Sequence, residues 1–93
     1  MTLLKKEEIK DALSSLNGWN QGEKEISKQF ELKDFKGALS FINKIGEKAE
    51  EMDHHPDMFL HSWNKVKITI STHTEGGITK KDIQLAEKIQ KLV

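Results

Sequence analysis

The sequence predicts an α+β fold with the element order α-β-β-α-β-β-α: a four-stranded antiparallel sheet with helices packed on one face. Three observations lead there. A single long stretch of helical periodicity is flanked on each side by a pair of segments that read as a hairpin. Shorter amphipathic segments of helical period stand at both ends of the chain. Turn-forming residues separate the elements, at Asn17-Gly18, Gln21-Gly22, Asn64 and Glu75-Gly76-Gly77. The 93 residues are read as one domain, 1–93. A chain this short buries only about 60–65% of its unfolded surface, around one core. Shallow clefts, or clefts completed by a second subunit, are therefore expected rather than a large enclosed site.

Residues 5 to 16 form the first predicted helix, with Ile9, Ala12, Leu13 and Leu16 on one face. Asn17-Gly18 ends it. Residues 24 to 32 alternate. Ile26, Lys28, Phe30 and Leu32 share one face, and Glu25, Ser27, Gln29 and Glu31 the other, which describes a half-buried strand paired with a short strand around Trp19. Asp34 is placed to cap the next helix. Phe35, Ala38, Leu39, Ile42, Ile45, Ala49 and Met52 then run along one stripe for almost five turns. That helix stops near Asp53, because Pro56 disfavours a helical conformation at His55. Residues 57 to 63 and 65 to 73 form a second hairpin turning at Asn64, with Val66, Ile68 and Ile70 on one face and Lys67, Thr69, Ser71 and His73 on the other. Thr79-Lys80-Lys81-Asp82 resembles a capping box. It opens a last helix with a broad stripe of Ile83, Leu85, Ala86, Ile89 and Leu92, extended by Gln90 or Val93.

Composition removes several function classes. The 15 basic and 15 acidic residues cancel, and lysines alternate with glutamates as on a solvated surface. A nucleic-acid binder carries a basic excess, so direct nucleic-acid contact is not expected. The absence of cysteine excludes disulfides, thiolate metal sites and a cysteine nucleophile. No apolar run approaches a membrane span, and the N-terminal residues show no signal-peptide pattern, so a cytoplasmic location without membrane contact is expected.

All four histidines, His54, His55, His61 and His73, fall within 20 residues. On the residues alone three readings stand. The concentration can be chance surface placement. It can be a metal site, with Asp53 and Glu50 adding oxygen ligands, although no His-x-x-x-His is present and adjacent His54 and His55 tend to point apart. Or it can serve proton transfer. An imidazole titrates near 6.5, so one can act as base and another as acid, each role contributing roughly 10²–10⁴-fold. His54 and His55 on a turn after the long helix can meet His73 at a sheet end. The chain contains neither a G-x-S-x-G nor a phosphate loop, which directs the third reading toward elimination or hydration.

The string Glu50-x-x-x-His54-His55-Pro56, followed by Trp63-Asn64-x-Val66, Thr72-His73 and Asp82, resembles the signature of the pterin-4a-carbinolamine dehydratases. Gly18-Trp19-Asn20 and Leu32-Lys33-Asp34-Phe35 extend the likeness over nearly the whole chain. The resemblance implies the α+β fold above and association into dimers or tetramers. It implies dehydration of 4a-hydroxytetrahydropterin to quinonoid dihydropterin and water, restoring a pterin used by aromatic amino-acid hydroxylases. It also implies that no metal or organic cofactor is needed, the pterin being the substrate. The implied catalytic residues are His54, His55 and His73, with Asp82 orienting an imidazole. The implied pterin contacts are Asp53, His54, His55, Pro56, Ser71, Thr72, His73, Thr74 and Trp19, with Glu50 in support.

His61 serves as a control: the family pattern does not require it, so it is expected to take no part in the chemistry. Met58 stands where relatives frequently carry an aromatic. Plainer roles accompany several site residues. Asp82 can simply complete the capping box, Trp19 can be core, Pro56 can fix the turn, and Glu50 can be solvated. Two other functions remain open. Animal members of the family also act as dimerisation cofactors for a homeodomain transcription factor, and a role near molybdopterin metabolism is the other.

Overall fold

The computed structural model describes residues 2–93. Its elements are α1 (Lys6–Leu13), β1 (Asn20–Gln21), β2 (Ile26–Glu31), α2 (Phe35–Met52), β3 (Asp57–His61), β4 (Lys65–Ile70), a 3-10 turn (His73–Glu75) and α3 (Lys80–Gln90). The four strands form one antiparallel sheet in the order β1-β2-β4-β3. The register lines up Phe30, Val66 and Leu60, and likewise Lys28, Ile68 and Met58. One face therefore carries Ile26, Phe30, Val66, Ile68 and Ile70, all buried with Phe41, Ile45, Leu85 and Ile89 in a single cluster. The other face carries Gln29, Glu31, Lys67, Phe59 and His61. No helix among the described residues is long and apolar enough to cross a membrane.

Lys28 breaks the alternation of β2, and its surroundings explain why it is tolerated. Its ammonium donates to the Asn17 carbonyl at 2.7 Å and to Gln90 Oε1 at 2.8 Å, and lies 4.8 Å from the Phe30 ring centroid. Burial pushes this ammonium below the usual lysine range. The lysine passes directly under Gly18, where a Cβ would come within 2.9 Å of Lys28 Cε and where φ is +84°. Glycine at this turn thus answers both a close approach and a left-handed backbone.

Three expectations are corrected. The first helix ends at Leu13 rather than residue 16, because the Ser14 and Ser15 hydroxyls donate to the Asp11 and Ala12 carbonyls and close its last turn. The buried row of α2 is Ala38, Phe41, Ile45 and Ala49, with Ile42 and Met52 partly buried; Phe35 and Leu39 are 48% and 44% exposed. A helix against one sheet buries one sector, and the apolar stripe of α2 is wider than that sector. Strand β4 ends at Ile70, not residue 73. The Thr72 carbonyl accepts the amides of Glu75 and Gly76 at 3.0 Å, which curls His73–Glu75 into the 3-10 turn.

Two junctions position the segments that follow. The Asp34 carboxylate accepts the Gly37 amide at 2.7 Å and caps α2. At the other end the His54 amide donates to the Ala49 carbonyl and the Asp53 amide to the Glu50 carbonyl, the paired bonds of a Schellman motif. Asp53 occupies the left-handed position, φ +50°, where glycine is usual. Asn64 ties the β3–β4 turn to β2: its Nδ2 donates to the Leu32 carbonyl at 3.0 Å, and its own carbonyl accepts the Leu32 amide at 2.8 Å. Near the other end of the sheet, the Leu4 amide donates to the Ile78 carbonyl at 2.8 Å, so the first residues hold the loop that leads into α3.

Candidate active site

The Schellman turn aims Asp53, His54 and His55 at the segment that leaves β4. Between them lies a cleft of about 390 Å³, lined by Asp53, His54, His55, Ser71, Thr72, His73, Thr74, Glu75 and Lys81. That volume suits a small molecule. Seven of the residues singled out in the sequence thus converge on one concavity, and three of them are histidines.

His54 and Asp82 form the best-defined pair. His54 Nε2 stands 2.6 Å from Asp82 Oδ1, with the His54 side chain 11% exposed and Asp82 fully buried. The second carboxylate oxygen, Oδ2, accepts the Thr79 amide at 2.7 Å and the Thr72 hydroxyl at 2.8 Å. A carboxylate only accepts, so Nε2 carries the proton and the neutral ring keeps its lone pair on Nδ1. Asp82 therefore caps α3 and orients the histidine with the same group. It does not line the cleft; it acts from behind His54.

His55 has a different setting. Its Nε2 lies 2.6 Å from Glu50 Oε2, but both side chains are well exposed. Glu50 sits on the last turn of α2 outside the cleft, and its contact is with His55. His73 sits on the exposed 3-10 turn across from them. Among the described residues no group of three or more His, Asp or Glu side chains is arranged to hold a metal ion.

Some expected residues lie elsewhere. The structure does not bring Trp19 to the cleft. It is 7% exposed within the core, edge-on to Phe30, and its Nε1 donates to Gln90 Oε1 at 3.1 Å. The GWN turn drives its ring under the sheet rather than toward the turn after α2. Pro56 follows the site histidines without lining the cleft. His61 is on the opposite face of the sheet, stacked on Phe59 and bonded through Nε2 to Gln29 Oε1 at 2.9 Å. Met58, 37% exposed, is on the outer strand β3 away from the cleft.

Glu75 and Lys81 line the cleft although the sequence did not point to them. Lys81 precedes Asp82 in the first turn of α3. Once Asp82 is placed behind a histidine, its neighbour on the cleft side is the signal that could have found it. Glu75 gave no such signal, because the 3-10 turn that presents it reads as a plain loop.

The family model described as pterin 4 alpha carbinolamine dehydratase matches residues 2–92. A protein of Sulfolobus acidocaldarius that carries this family's name is 43% identical over 89 residues, covering 96% of this chain and 97% of its own length. The crystal structure of a transcriptional coactivator/pterin dehydratase from Brucella melitensis superposes with a TM-score of 0.92 at 35% identity, covering 98% of each chain. A pterin dehydratase-like protein described as a RuBisCO assembly factor of the alpha-carboxysome shares the fold, with a TM-score of 0.68 at 20% identity over 83% of this chain and 90% of its own. The sequence signature, the sheet with its helices and a relative matched along almost its full length agree: this chain belongs to the pterin-4-alpha-carbinolamine dehydratase family, whose enzymes are lyases that eliminate water.

Proposed function

We propose that the chain dehydrates 4a-hydroxytetrahydropterin to quinonoid dihydropterin and water by acid–base catalysis from its histidines. The observation that carries this reading is the buried Asp82 carboxylate holding His54 at the wall of a cleft shared with His55 and His73. In the reaction the C4a–O bond breaks, N5 loses its proton, and a C4a=N5 double bond forms. Hydroxide is a poor leaving group, so it departs as water with a proton from an acid. His54, with its lone pair on Nδ1, takes the N5 proton, and His73 assists the departing hydroxyl. The proton taken and the proton given balance, and the family resemblance implies a reaction that needs no metal or organic cofactor. Asp53, Ser71, Thr72 and Thr74 hold the pterin, with Lys81 and Glu75 offering opposite charges to its polar edges.

As one domain, the chain works as a homodimer or homotetramer in the cytoplasm, returning pterin to an aromatic amino-acid hydroxylase pathway. Association is supported by the free edge of β3, by Phe59, 62% exposed, and by Phe35 and Leu39 on α2. A second reading, as a protein-interaction partner, is favoured by Phe59 and by Trp63, 60% exposed, on the surface away from the cleft.

The test generates the 4a-hydroxypterin in situ and follows its decay in the ultraviolet. A rate no faster than the spontaneous one sinks the enzyme reading. His54→Ala and His73→Ala variants that both keep the wild-type rate sink the assignment of roles. Stoichiometric zinc in the purified protein overturns the metal-free mechanism, and a monomer by light scattering removes the oligomer.

A further inference from the structure

We propose that Thr79 and Thr72 are positioning residues for His54, acting through a one-way chain of buried hydrogen bonds that ends on Asp82. Thr79 does not touch the cleft. It is fully buried, as is Asp82, and Thr72 is 9% exposed. The Thr79 and Thr72 hydroxyls are 2.9 Å apart, and the Thr72 hydroxyl is 2.8 Å from Asp82 Oδ2. The bridge between Thr72 and Gly77 brings the two threonines together across the intervening turn.

Proton accounting gives the chain its direction. A carboxylate cannot donate, so Thr72 commits its only hydroxyl proton to Oδ2. Its lone pairs are then left to accept the Thr79 hydroxyl proton. Oδ2 receives two donors, Thr72 and the Thr79 amide, whereas Oδ1 has only His54. Both hydroxyl protons thus point toward Asp82, and each bond polarises the next.

The capping box alone does not require this. Capping needs the Thr79 amide on Asp82 and a lone pair of the Thr79 side-chain oxygen for the Asp82 amide, and neither bond uses a hydroxyl proton. A pair of buried hydroxyls costs stability unless both are satisfied, and valine would fill the same space without that demand. The hydroxyl protons, which capping leaves unused, are therefore explained by what they do to Asp82. Of its partners only His54, 11% exposed, is titratable, so a change inside the chain is delivered there.

The direction of the effect follows. Without the Thr79 hydroxyl, Thr72 polarises less toward Oδ2, and the charge of Asp82 is less compensated. It then leans more on His54, which favours the imidazolium. The other charged or titratable groups lining the same cleft are Asp53 and His55 after α2, His73 and Glu75 on the 3-10 turn, and Lys81 on α3. All are retained in the variants below, so a difference between those variants belongs to the threonine.

The kinetic half of this inference rests on the proposed role of His54 as the N5 base; the tautomer half is read without turnover. The experiment is a pH series of imidazole 15N spectra, with kcat/KM profiles, for wild type, Thr79→Val and Thr79→Ser. Neutral His54 in wild type is expected in the Nε2–H tautomer. In Thr79→Val the balance moves toward the imidazolium, and the acid limb of kcat/KM moves to higher pH with it. Thr79→Ser, which keeps the hydroxyl, is expected to titrate like wild type. An Nδ1–H tautomer in wild type overturns the proposal even if Thr79→Val fails to fold. A folded Thr79→Val with the wild-type midpoint, or Thr79→Ser shifted as far as Thr79→Val, also overturns it. A shift in the His54 midpoint that leaves the kcat/KM profile unmoved keeps the chain of bonds and instead removes His54 as the base.

Discussion

Two histidines, adjacent in sequence, each meet a carboxylate through Nε2 at 2.6 Å, and the resemblance ends there. His54 and Asp82 are 11% and 0% exposed; His55 and Glu50 are 60% and 77% exposed. In water, an ion pair of this length is worth about 0–1 kcal/mol and competes with solvent for both partners. Behind the cleft there is no such competition, and the carboxylate fixes which ring nitrogen carries the proton. Distance alone would rank the pairs as equal. Burial makes one an orienting device and leaves the other an adjustable contact.

The sharpest way to break the comparison is at Asp82. Asp82→Asn keeps the shape but can turn an amide donor toward Nε2, and it is expected to lower kcat/KM about 10²–10³-fold in the pterin decay assay. Asp82→Ala is expected to lose about 3–5 kcal/mol in denaturant unfolding, because it strands Thr72, the Thr79 amide and His54 together. Glu50→Ala should do neither. If the two carboxylate variants cost the same, burial is not what separates the pairs.

A smaller effect is expected at Asp53, which aims both histidines from a left-handed backbone at φ +50°. Asp53→Gly should raise stability by about 0.5–1 kcal/mol, since a Cβ in that region is strained, while raising KM by removing a cleft carboxylate. Next comes Glu50→Gln, expected within about 0.5 kcal/mol and threefold in rate.

The smallest prediction concerns Lys28. Because burial lowers the Lys28 value below 10.5, the unfolded chain holds more protons between the folded value and 10.5. Stability therefore rises with pH across that alkaline window. Lys28→Met should flatten the rise, as read by urea midpoints through that range.

Much of this was legible in the chain. The hairpins, the long helix and its stop follow from alternation, from Asp34 and from Pro56. That His54, His55 and His73 share one cleft was readable because Pro56 ends the helix and the second hairpin returns the chain to that turn. What was not legible depends on three-dimensional competition. The stripe read along α2 took in Phe35 and Leu39 and left out Phe41, and only the sheet beneath decides that Phe41 is the buried one. Trp19 is apolar enough for a pocket or a core, and the room under the sheet chose the core. Thr79 reads as a cap, since nothing local reveals that Thr72 lies against it. Glu75 and Lys81 depend on a 3-10 turn and a helix phase that periodicity leaves undefined.

One feature of the fold bears on how the molecule is made. Trp19 reaches Gln90 across 71 residues, and Asp82 reaches back 28 residues to His54. The segment before α3 is held by the backbone of Leu4. A chain emerging from a ribosome carries its histidine turn into water well before the aspartate that disciplines it. Until α3 is released, no buried carboxylate orders His54, so the histidine turn is made before the group that orients it.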